Sequence, residues 1–291
     1  MIGVIGGSGF EKFEEFELIG EISRDTPFGK AASGFKKVKV QGIEFLFMSR
    51  HGEHHEHLPT EVNYRANIFA MKAQGAQALV SFSAVGSLAQ ALKPGDLVVP
   101  SQYIDRTKSL RHHTFLGQGL IGHASLAKPT CEIMAEGIRP MAQALSARPN
   151  ESIQPFDVHF SKTYICIEGP NFSTKAESLT YRQMGADIVG MTNFPEYALA
   201  REAGLPYLPC CWVTDYDCWD DNIPHVTVQE VIRVMRLNNS KAFSLLKEIL
   251  RAGPALWRGS LSPEAGLRTS LFMPLEAVPS DKRKWLDVLM R

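Results

Sequence analysis

The sequence predicts an α/β fold in which a central mixed β-sheet is flanked by helices on both faces. Short apolar runs of strand length alternate with longer runs of helical spacing, a pattern typical of sheets covered on both sides. No linker or change of composition interrupts this alternation before about residue 252. With 291 residues, 44% of them hydrophobic, the chain is long enough to build a single large core.

The elements of the first half follow from residue spacing and turn residues. The apolar strand 2–5 ends in a glycine turn, and strands 37–40 and 43–48 form a hairpin that turns at Gln41-Gly42. Apolar residues at helical spacing predict a helix over 61–74. The next predicted elements are strands over 78–83 and 96–103 and a glycine-rich loop over 109–122.

The second half continues the alternation. Two helices are expected to begin at capping boxes, Thr174-Lys175-Ala176-Glu177 and Thr227-Val228-Gln229-Glu230. The other predicted elements are helices over 130–147 and 195–203 and strands over 163–167, 187–189 and 207–213. We expect one domain over 1–251 and a C-terminal extension over 252–291, rich in Pro, Gly and Ser, that packs on its surface.

Composition excludes several classes of partner. Lys and Arg total 31 and Asp and Glu total 31, so the formal net charge is zero and no overall field attracts nucleic acid or an anionic membrane. No run of 18 apolar residues is present, so no membrane span is expected. The five cysteines lack CxxC spacing, which is typical of reduced thiols in the cytoplasm. We therefore expect a cytoplasmic protein that handles small molecules.

The turn Gly6-Gly7-Ser8-Gly9 follows the first strand. Glycine lets backbone N–H groups approach an anion, and Ser8 adds a hydroxyl, so this turn is suited to phosphate. It matches neither the dinucleotide pattern GxGxxG nor the P-loop pattern. Phosphate binding and a plain tight turn fit the segment equally well.

A histidine-rich segment, 50–57, follows the hairpin. Its four histidines and two glutamates suggest a metal site, but Gly52 and Pro59 favour a loop and the spacing is not that of HExxH zinc sites. We expect no metal here. Arg50 is better interpreted as a forked donor for a bound anion, with His51 assisting.

Two further segments carry weaker signals. The small residues of Ser83-Ala84-Val85-Gly86-Ser87 would leave backbone N–H groups and the Ser83 hydroxyl for an anion, although an ordinary strand-to-turn transition explains them better. Phe172 lies in a glycine-proline loop, 168–173, and is placed to stack on a flat ring. A phenylalanine in such a position is more often part of a core.

The segment Thr214-Asp215-Tyr216-Asp217 follows an apolar strand. Its two carboxylates would share one face if the strand continued. In an apolar setting one carboxyl can stay protonated as an acid while the other remains an acceptor. A solvated turn is the alternative, and it fits equally well.

Taken in order, these motifs make the chain similar to the methylthioadenosine phosphorylases, a branch of the trimeric purine nucleoside phosphorylases. The similarity covers roughly 1–250 and includes Arg50-His51-Gly52, Pro94-Gly95-Asp96, Asp105-Arg106-Thr107, Gly190-Met191-Thr192 and, most specifically, Thr214-Asp215-Tyr216-Asp217-Cys218-Trp219. It implies a single-domain nucleoside phosphorylase fold, a homotrimer, inorganic phosphate as co-substrate and no metal or organic cofactor. The implied reaction converts S-methyl-5′-thioadenosine to adenine and 5-methylthioribose 1-phosphate.

The resemblance also implies roles for individual residues. Phosphate would be bound by Ser8, Arg50, His51, Ser83, the Ala84 backbone and Thr192. Met191 would line the ribose, and the purine would be contacted by Phe172, Ser173, Asp215 and Asp217. The 5′ end would lie near His55, Val228, Val231 and Ile232, with His123 reaching in from a neighbouring subunit and His225 close to a 5′-hydroxyl.

The implied mechanism uses Asp215 as a general acid at purine N7 while phosphate attacks C1′. An ionised Asp217 or Asp215 accepts a hydrogen bond from a 6-amino group and repels a 6-oxo group. Three alternatives stay open. They are a broader purine nucleoside or methylthioinosine phosphorylase, a metal-dependent hydrolase built on the histidine-rich segment, and a nucleoside-binding protein without catalysis.

Overall fold

A nine-stranded mixed sheet runs through the centre of the protein in this computed structural model, which describes residues 1–10, 15–150, 153–222, 227–260 and 266–291. The strands are Ile2–Gly6 (β1), Glu17–Glu21 (β2), Asp25–Thr26 (β3), Gly29–Lys30 (β4), Lys36–Val40 (β5), Ile43–Ser49 (β6), Ala78–Ser87 (β7), Leu97–Arg106 (β8), Val158–Ile167 (β9), Ile188–Gly190 (β10) and Tyr207–Asp215 (β11). The helices are Tyr64–Ala73 (α1), Glu132–Ser146 (α2), Lys175–Gln183 (α3), Asn193–Glu202 (α4), Val228–Ala252 (α5), Leu267–Ser270 (α6) and Ser280–Leu289 (α7).

Part of the sheet closes on itself. The strand order is β10-β9-β8-β11-β7-β1-β6-β5-β2, while β3 and β4 form a separate ribbon. Strands β1, β6, β7 and β11 are parallel, and β8, β9 and β10 run in the opposite direction. Because β10 also pairs with β7, at Val189 and Gly86, the strands β7, β11, β8, β9 and β10 form a ring. Strand ends from both directions therefore meet close to Gly86.

Helices cover both faces of the sheet. Successive residues of β1 point to opposite faces, so that Ile5 belongs to a cluster with α1, α4 and α7, and Val4 belongs to a second cluster with α2 and α5. Strands buried on both faces read as continuous apolar runs, and this is why 2–5 and 78–83 were recognisable. The predicted α/β fold, with a mixed sheet between two helical layers, is confirmed.

Helix starts follow the capping residues. The side chain of Asn63 accepts a hydrogen bond from the Ala66 N–H, so α1 begins after the predicted residue 61. The capping box at Thr174 is confirmed in both directions. At the start of α5 the hydroxyl of Thr227 accepts from the Glu230 N–H, but the Glu230 carboxylate pairs with Arg233 at 2.6 Å, so half of the second predicted box forms.

Two predicted strands are longer than expected, and three strands were not predicted. The strand expected over 78–83 continues to Ser87, because β11 and β10 both pair with its last residues. The segment from Ser83 to Ser87 is therefore strand and not a turn. Strand β9 begins at Val158, before the predicted residue 163, since it follows β8 along its whole length. The short strands β2, β3 and β4 carry little apolar signal and were not predicted.

The C-terminal extension contributes to the core. Trp285 of α7 packs edge-to-face on Phe28 with ring centroids 5.1 Å apart, and Leu286 and Leu289 are buried beside it. Trp257 joins the cluster on the other face. The described residues of the extension thus add apolar contacts to both helical layers, while its separation from the domain over 1–251 stays a prediction.

Two further features concern the cysteines and the helices. All five cysteines are free thiols. None of the described helices combines the length and the apolar character needed to cross a bilayer.

Candidate active site

A cavity of about 630 Å³ opens where β7 meets β10 and the end of β11. It is lined by all of the residues predicted to form the site except His123 and His225, namely Ser8, Arg50, His51, His55, Ser83, Ala84, Phe172, Ser173, Met191, Thr192, Asp215, Asp217, Val228, Val231 and Ile232. The structure therefore brings together side chains separated by more than 200 positions in the sequence. Their individual roles stay predictions.

Strand direction explains this convergence. The parallel strands β1, β6 and β11 end at one edge of the sheet and deliver Ser8, Arg50 and Asp215 there. Ligands of open α/β sheets bind at the carboxyl ends of parallel strands. Strand β10 runs the other way, but its pairing with β7 places Met191, just beyond its end, on the same cavity.

Arg50 is held by a buried acidic partner. Its Nε donates to Glu196 Oε2 at 2.6 Å and its Nη2 donates to Glu196 Oε1 at 2.9 Å and to Ser81 Oγ at 2.6 Å. Nη1 donates to the Phe82 carbonyl at 3.1 Å. The forked donor pair of Arg50, which was predicted to bind an anion, therefore binds the Glu196 carboxylate in this structure. This corrects the predicted partner of that donor pair. Because a guanidinium has five N–H donors, Nη1 keeps one for a ligand.

Glu196 also keeps Arg50 charged. Both side chains are almost fully buried, with exposed fractions of 1% and 2%. Burial opposes the charge on Arg50, but the Glu196 carboxylate outweighs it and raises the pKa of the guanidinium above its ordinary value. Tyr207 Oη donates to the same carboxylate at 2.8 Å.

His51 and Ser83 already have partners at this end of the cavity. Nδ1 of His51 lies 2.9 Å from the His57 carbonyl, and since a carbonyl oxygen can only accept, Nδ1 carries the proton. Nε2 then donates only when the ring is an imidazolium. The Ser83 hydroxyl donates to Asn193 Oδ1 at 3.0 Å, so its proton is already shared with this amide, and its role toward an anion stays a prediction.

The two aspartates meet through a turn and not along a strand. Strand β11 ends at Asp215, and Asp217 has a left-handed backbone with φ of 52°. The Asp217 N–H donates to Asp215 Oδ1 at 2.8 Å, and the Thr214 hydroxyl lies 2.7 Å from Asp215 Oδ2. The prediction of a shared strand face is wrong, but the pair is formed and is mostly buried.

Burial shifts the acidity of both carboxyls in the same direction. It raises the pKa of Asp215, and the hydrogen bonds from Thr214 and from the Asp217 N–H lower it only in part. Burial also raises the pKa of Asp217, where the neighbouring Asp215 carboxyl adds to the effect and the Ser178 and Ser173 hydroxyls oppose it. Asp215 is therefore suited to carry a proton at higher pH than an exposed aspartate.

Unsatisfied polar atoms mark the same end of the cavity. Among the described residues, Asp217 Oδ2, Ser173 Oγ and Ser178 Oγ are buried without a well-formed hydrogen bond, although the two hydroxyls lie near enough to influence the acidity of Asp217. A buried polar group without a partner costs about 1–3 kcal/mol. Phe172 is 50% exposed beside them and is not a core residue. These features suit a flat ligand with polar edges.

The opposite wall is apolar and belongs to the first turns of α5. Val228 and Ile232 are exposed large side chains that line the cavity together with Val231. Met235 lies on the same wall and was not predicted, although its spacing of three and four residues from Ile232 and Val231 could have revealed it.

Two glycines are required by their neighbours. A Cβ on Gly190 would lie 2.1 Å from the Tyr164 hydroxyl, and one on Gly7 would lie 2.7 Å from Arg50 Nη1. Any side chain at either position would displace a wall of the cavity. Gly190 thus allows the end of β10 to pack closely against Tyr164, and Gly7 allows the first turn to approach Arg50.

Two predicted histidines are not placed in the cavity. His123 is exposed, and its ring contacts Phe272 at a centroid distance of 5.1 Å. The prediction that it enters the site of a neighbouring subunit is not tested by a single chain. His225 lies outside the described residues.

A possible metal-ligating group lies elsewhere. In the described part of the chain, three side chains of metal-ligating type lie together, with ligand atoms within 4.8 Å of one another. They are Asp96, Asp157 and His159. Asp96 already accepts from the Asp157 N–H at 2.9 Å and from the Lys93 N–H at 2.8 Å. None of these residues lines the cavity.

Comparison with known proteins gives consistent relationships. Residues 1–251 match the family described as "Phosphorylase superfamily". The chain is 39% identical to S-methyl-5′-thioadenosine phosphorylase of Geobacter sulfurreducens over 100% of this chain and 98% of that one, and 44% identical to the enzyme of that name from Thermococcus kodakarensis over 85% and 90%.

Solved structures agree. A methylthioadenosine phosphorylase from an antarctic soil metagenomic library superposes with a TM-score of 0.88 at 38% identity, covering 100% of this chain and 98% of that chain. A mutant adenosine/methylthioadenosine phosphorylase from Schistosoma mansoni, solved in complex with methylthioadenosine, gives 0.81 at 35% identity, covering 90% and 95%.

Proposed function

The chain belongs to the phosphorylase superfamily, among the methylthioadenosine phosphorylases, and we propose that it converts S-methyl-5′-thioadenosine and phosphate to adenine and 5-methylthioribose 1-phosphate. One observation carries the proposal. A single cavity is lined by a buried aspartate pair, by cationic and hydroxyl groups, and by a wall of apolar side chains from α5. These three surfaces match the purine, the phosphate and the 5′-methylthio group.

Phosphate is assigned to the end of the cavity formed by Ser8, Arg50, His51, Ser83, the Ala84 backbone and Thr192. The remaining Nη1 donor of Arg50 supplies a charge-assisted hydrogen bond, which is stronger than a neutral one. Nδ1 of His51 donates to the His57 carbonyl, so Nε2 is the atom that faces phosphate. In a neutral ring Nε2 accepts a hydrogen bond from a monoprotonated phosphate, and in an imidazolium it donates one to the dianion.

The chemical step separates charge, and the site must stabilise both charges that develop. Cleavage of the glycosidic bond develops positive charge on the sugar and negative charge on the departing purine. The bound phosphate stabilises the first and forms the new bond to C1′. Asp215 gives its proton to N7 of the purine, and a transfer of this kind contributes about 10²–10⁴ to the rate. The Asp217 N–H and the Thr214 hydroxyl then stabilise the carboxylate that Asp215 becomes.

The substrate follows from the polarity of each wall. A 6-amino group can donate to Asp217 Oδ2, whereas a 6-oxo group would face an Asp217 carboxylate that has no proton to donate, since the Asp215 proton goes to N7. Sites that leave polar groups unpaired discriminate strongly against the wrong substrate. The apolar side chains of Val228, Val231 and Ile232, with His55 nearby, favour a methylthio group over a hydroxyl at the 5′ position.

The test is a substrate comparison. Initial rates are measured on methylthioadenosine, adenosine, methylthioinosine and inosine, with and without phosphate, and the sugar product is identified. We expect phosphate-dependent release of adenine, a sugar 1-phosphate as product, and methylthioadenosine as the best substrate. The Schistosoma relative is named for adenosine as well, so adenosine is the informative second substrate.

Each alternative predicts a different result. A preference for the 6-oxopurines would contradict the assignment of Asp217. Turnover without phosphate that is lost to a chelator would indicate a metal-dependent hydrolase, and adenine binding without any turnover would indicate a binding protein.

A further inference from the structure

Arg111 is a buried cation in the loop between β8 and α2. Its neighbour Leu110 is 67% exposed, yet the side chain of Arg111 is only 1% exposed. A buried arginine is costly unless all of its donors are satisfied. The acceptors of its hydrogen bonds therefore indicate which segments of the chain Arg111 connects.

Those partners belong to two separate walls of the cavity. Nε donates to Glu168 Oε1 at 2.8 Å and Nη2 donates to the Glu168 carbonyl at 3.0 Å. Nη1 donates to the carbonyls of Met191 and Phe194, both at 2.7 Å. The remaining N–H of Nη2 lies 3.5 Å from the Ile167 carbonyl. Apart from a longer contact of 3.5 Å between Nη1 and Tyr64 Oη, the donors of the guanidinium are thus directed at these two segments.

Both segments carry residues that line the cavity. Glu168 opens the loop that leads to Phe172 and Ser173, and Met191 itself lies on the wall. One planar group therefore sets the separation between the loop assigned to the purine and the strand end assigned to the ribose. In the described part of the chain, no hydrogen bond joins Arg111 to Ser8, Arg50 or His51 at the phosphate end.

Glu168 extends the connection to a third segment. One of its oxygens accepts from Thr60 Oγ1, next to Pro59 on the cavity wall, and the other accepts from the Lys108 N–H at 2.7 Å. Burial raises the pKa of Glu168, but these bonds and the Arg111 charge outweigh it and leave the pKa below its ordinary value. The carboxylate is therefore ionised and balances the buried guanidinium.

We propose that Arg111 is a positioning residue that holds the nucleoside-binding walls of the cavity in register without touching the substrate. The inference rests on the proposed function. A lysine cannot replace it, because an ammonium has three donors that diverge from one point and a guanidinium has five in a planar fork. Loss of the fork lets the Glu168 loop and Met191 move relative to each other, while the phosphate end keeps its own contacts.

The experiment compares Arg111→Lys with the wild type in steady-state kinetics, varying nucleoside and phosphate separately. We expect the KM for methylthioadenosine to rise about 10-fold or more and the KM for phosphate to change less than about 2-fold, since small misplacements of binding groups are costly. Arg251→Lys, at a side chain that is 50% exposed on α5, is the matched control and should change neither constant.

Reduced stability alone must be separated from positioning. Ile138→Val removes one methyl group from a fully buried side chain in α2, far from the loop, and should lower Tm without changing either KM. If Arg111→Lys does not fold, Glu168→Gln takes its place, because it keeps an acceptor and removes the charge partner. The same selective rise in nucleoside KM is then expected, and the thermal transition shows that the variant is folded.

The outcomes separate the two proposals. If the wild type shows no phosphate-dependent turnover, the proposed function fails and the role of Arg111 falls with it. If the wild type is active and the folded variants change both KM values equally, or neither, the positioning role alone is overturned.

Discussion

At the residue scale, Asp217 is the group that should decide between 6-amino and 6-oxo purines. Its Oδ2 is buried without a well-formed hydrogen bond and is available to accept from an amino group. In Asp217→Asn an amide N–H₂ replaces an acceptor, so a 6-oxo group gains a donor. We expect the ratio of kcat/KM for methylthioadenosine over methylthioinosine to fall roughly 10²-fold.

The matched control for this change is Asp221→Asn. Asp221 lies four positions further along, its side chain is 76% exposed, and it pairs with Lys175 outside the cavity. It should leave the ratio unchanged. An unaltered ratio in Asp217→Asn would remove Asp217 from the selectivity mechanism.

Asp215 links catalysis to stability. Burial raises its pKa in the folded protein, whereas in the unfolded chain the value is near 3.9. The folded state therefore holds a proton that the unfolded state has lost, and the stability contributed by this carboxyl falls as pH rises above about 4. An amide cannot ionise and escapes this loss.

We therefore expect Asp215→Asn to be inactive but stable. Its kcat should fall by about 10²–10⁴, because the proton donor to N7 is lost. Its Tm relative to the wild type should increase as pH rises above about 4, measured by differential scanning calorimetry. A Tm difference that is constant with pH, or activity close to that of the wild type, would contradict the assignment of Asp215 as a buried acid.

How far the sequence predicted the site differs among these residues. Asp215 and Asp217 were recognisable because a polar pair follows an apolar strand, but their geometry depends on the left-handed backbone at 217. The partner of Arg50 was not predictable from local pattern, because Glu196 lies 146 positions away. The same holds for Arg111, whose acceptors are mostly backbone carbonyls and leave no signature in side-chain types.

At the scale of elements, the C-terminal extension offers the clearest test. Trp285 of α7 is buried against Phe28, and Leu275 in the same extension is 49% exposed. Removing a large buried aromatic side chain costs about 3–5 kcal/mol, and removing an exposed one costs little. We expect Trp285→Ala to lower the free energy of unfolding by about 3 kcal/mol in urea titration.

Leu275→Ala is the comparison within the extension. It should change the free energy of unfolding by less than about 0.5 kcal/mol. Equally small effects of the two substitutions would mean that the extension packs only on the surface of the domain, as the sequence predicted. A large effect confined to Trp285 would mean that the extension is part of the folding unit.

The elements that were predicted well share one property. Strands β1, β7 and β11 are apolar on both faces, so the period of the pattern and the burial agree. Strand β2 is largely exposed and forms because it pairs with β5. Its own residues carry no apolar pattern that would predict a strand. Apolar residues and turns thus indicated the buried half of the sheet, and tertiary pairing determined its edge.

At the scale of the whole molecule, exposed apolar side chains surround His123. The Phe272 N–H donates to the Ile121 carbonyl, and Ile121 and Phe272 are 60% and 77% exposed. Soluble proteins rarely leave such side chains clustered unless another surface covers them. A second copy of the chain is the partner that the expected homotrimer would supply.

If this face is an interface, His123 acts in a neighbour's cavity, and two inactive variants should restore one another. His123→Ala lacks the donated side chain, and Asp215→Asn lacks the acid but still presents His123. In a mixed oligomer the cavity of a His123→Ala chain next to an Asp215→Asn chain is complete. We therefore expect co-expressed variants, purified through two tags, to exceed the mean activity of the separate variants several-fold.

The double variant, His123→Ala with Asp215→Asn, is the control for this mixing. Co-expressed with His123→Ala it supplies no intact His123, so it should restore nothing. Light scattering should give the wild type a mass of about three times 32.3 kDa. A monomeric mass, or a mixture no more active than the mean of its components, would confine the whole site to one chain and leave His123 without a role in it.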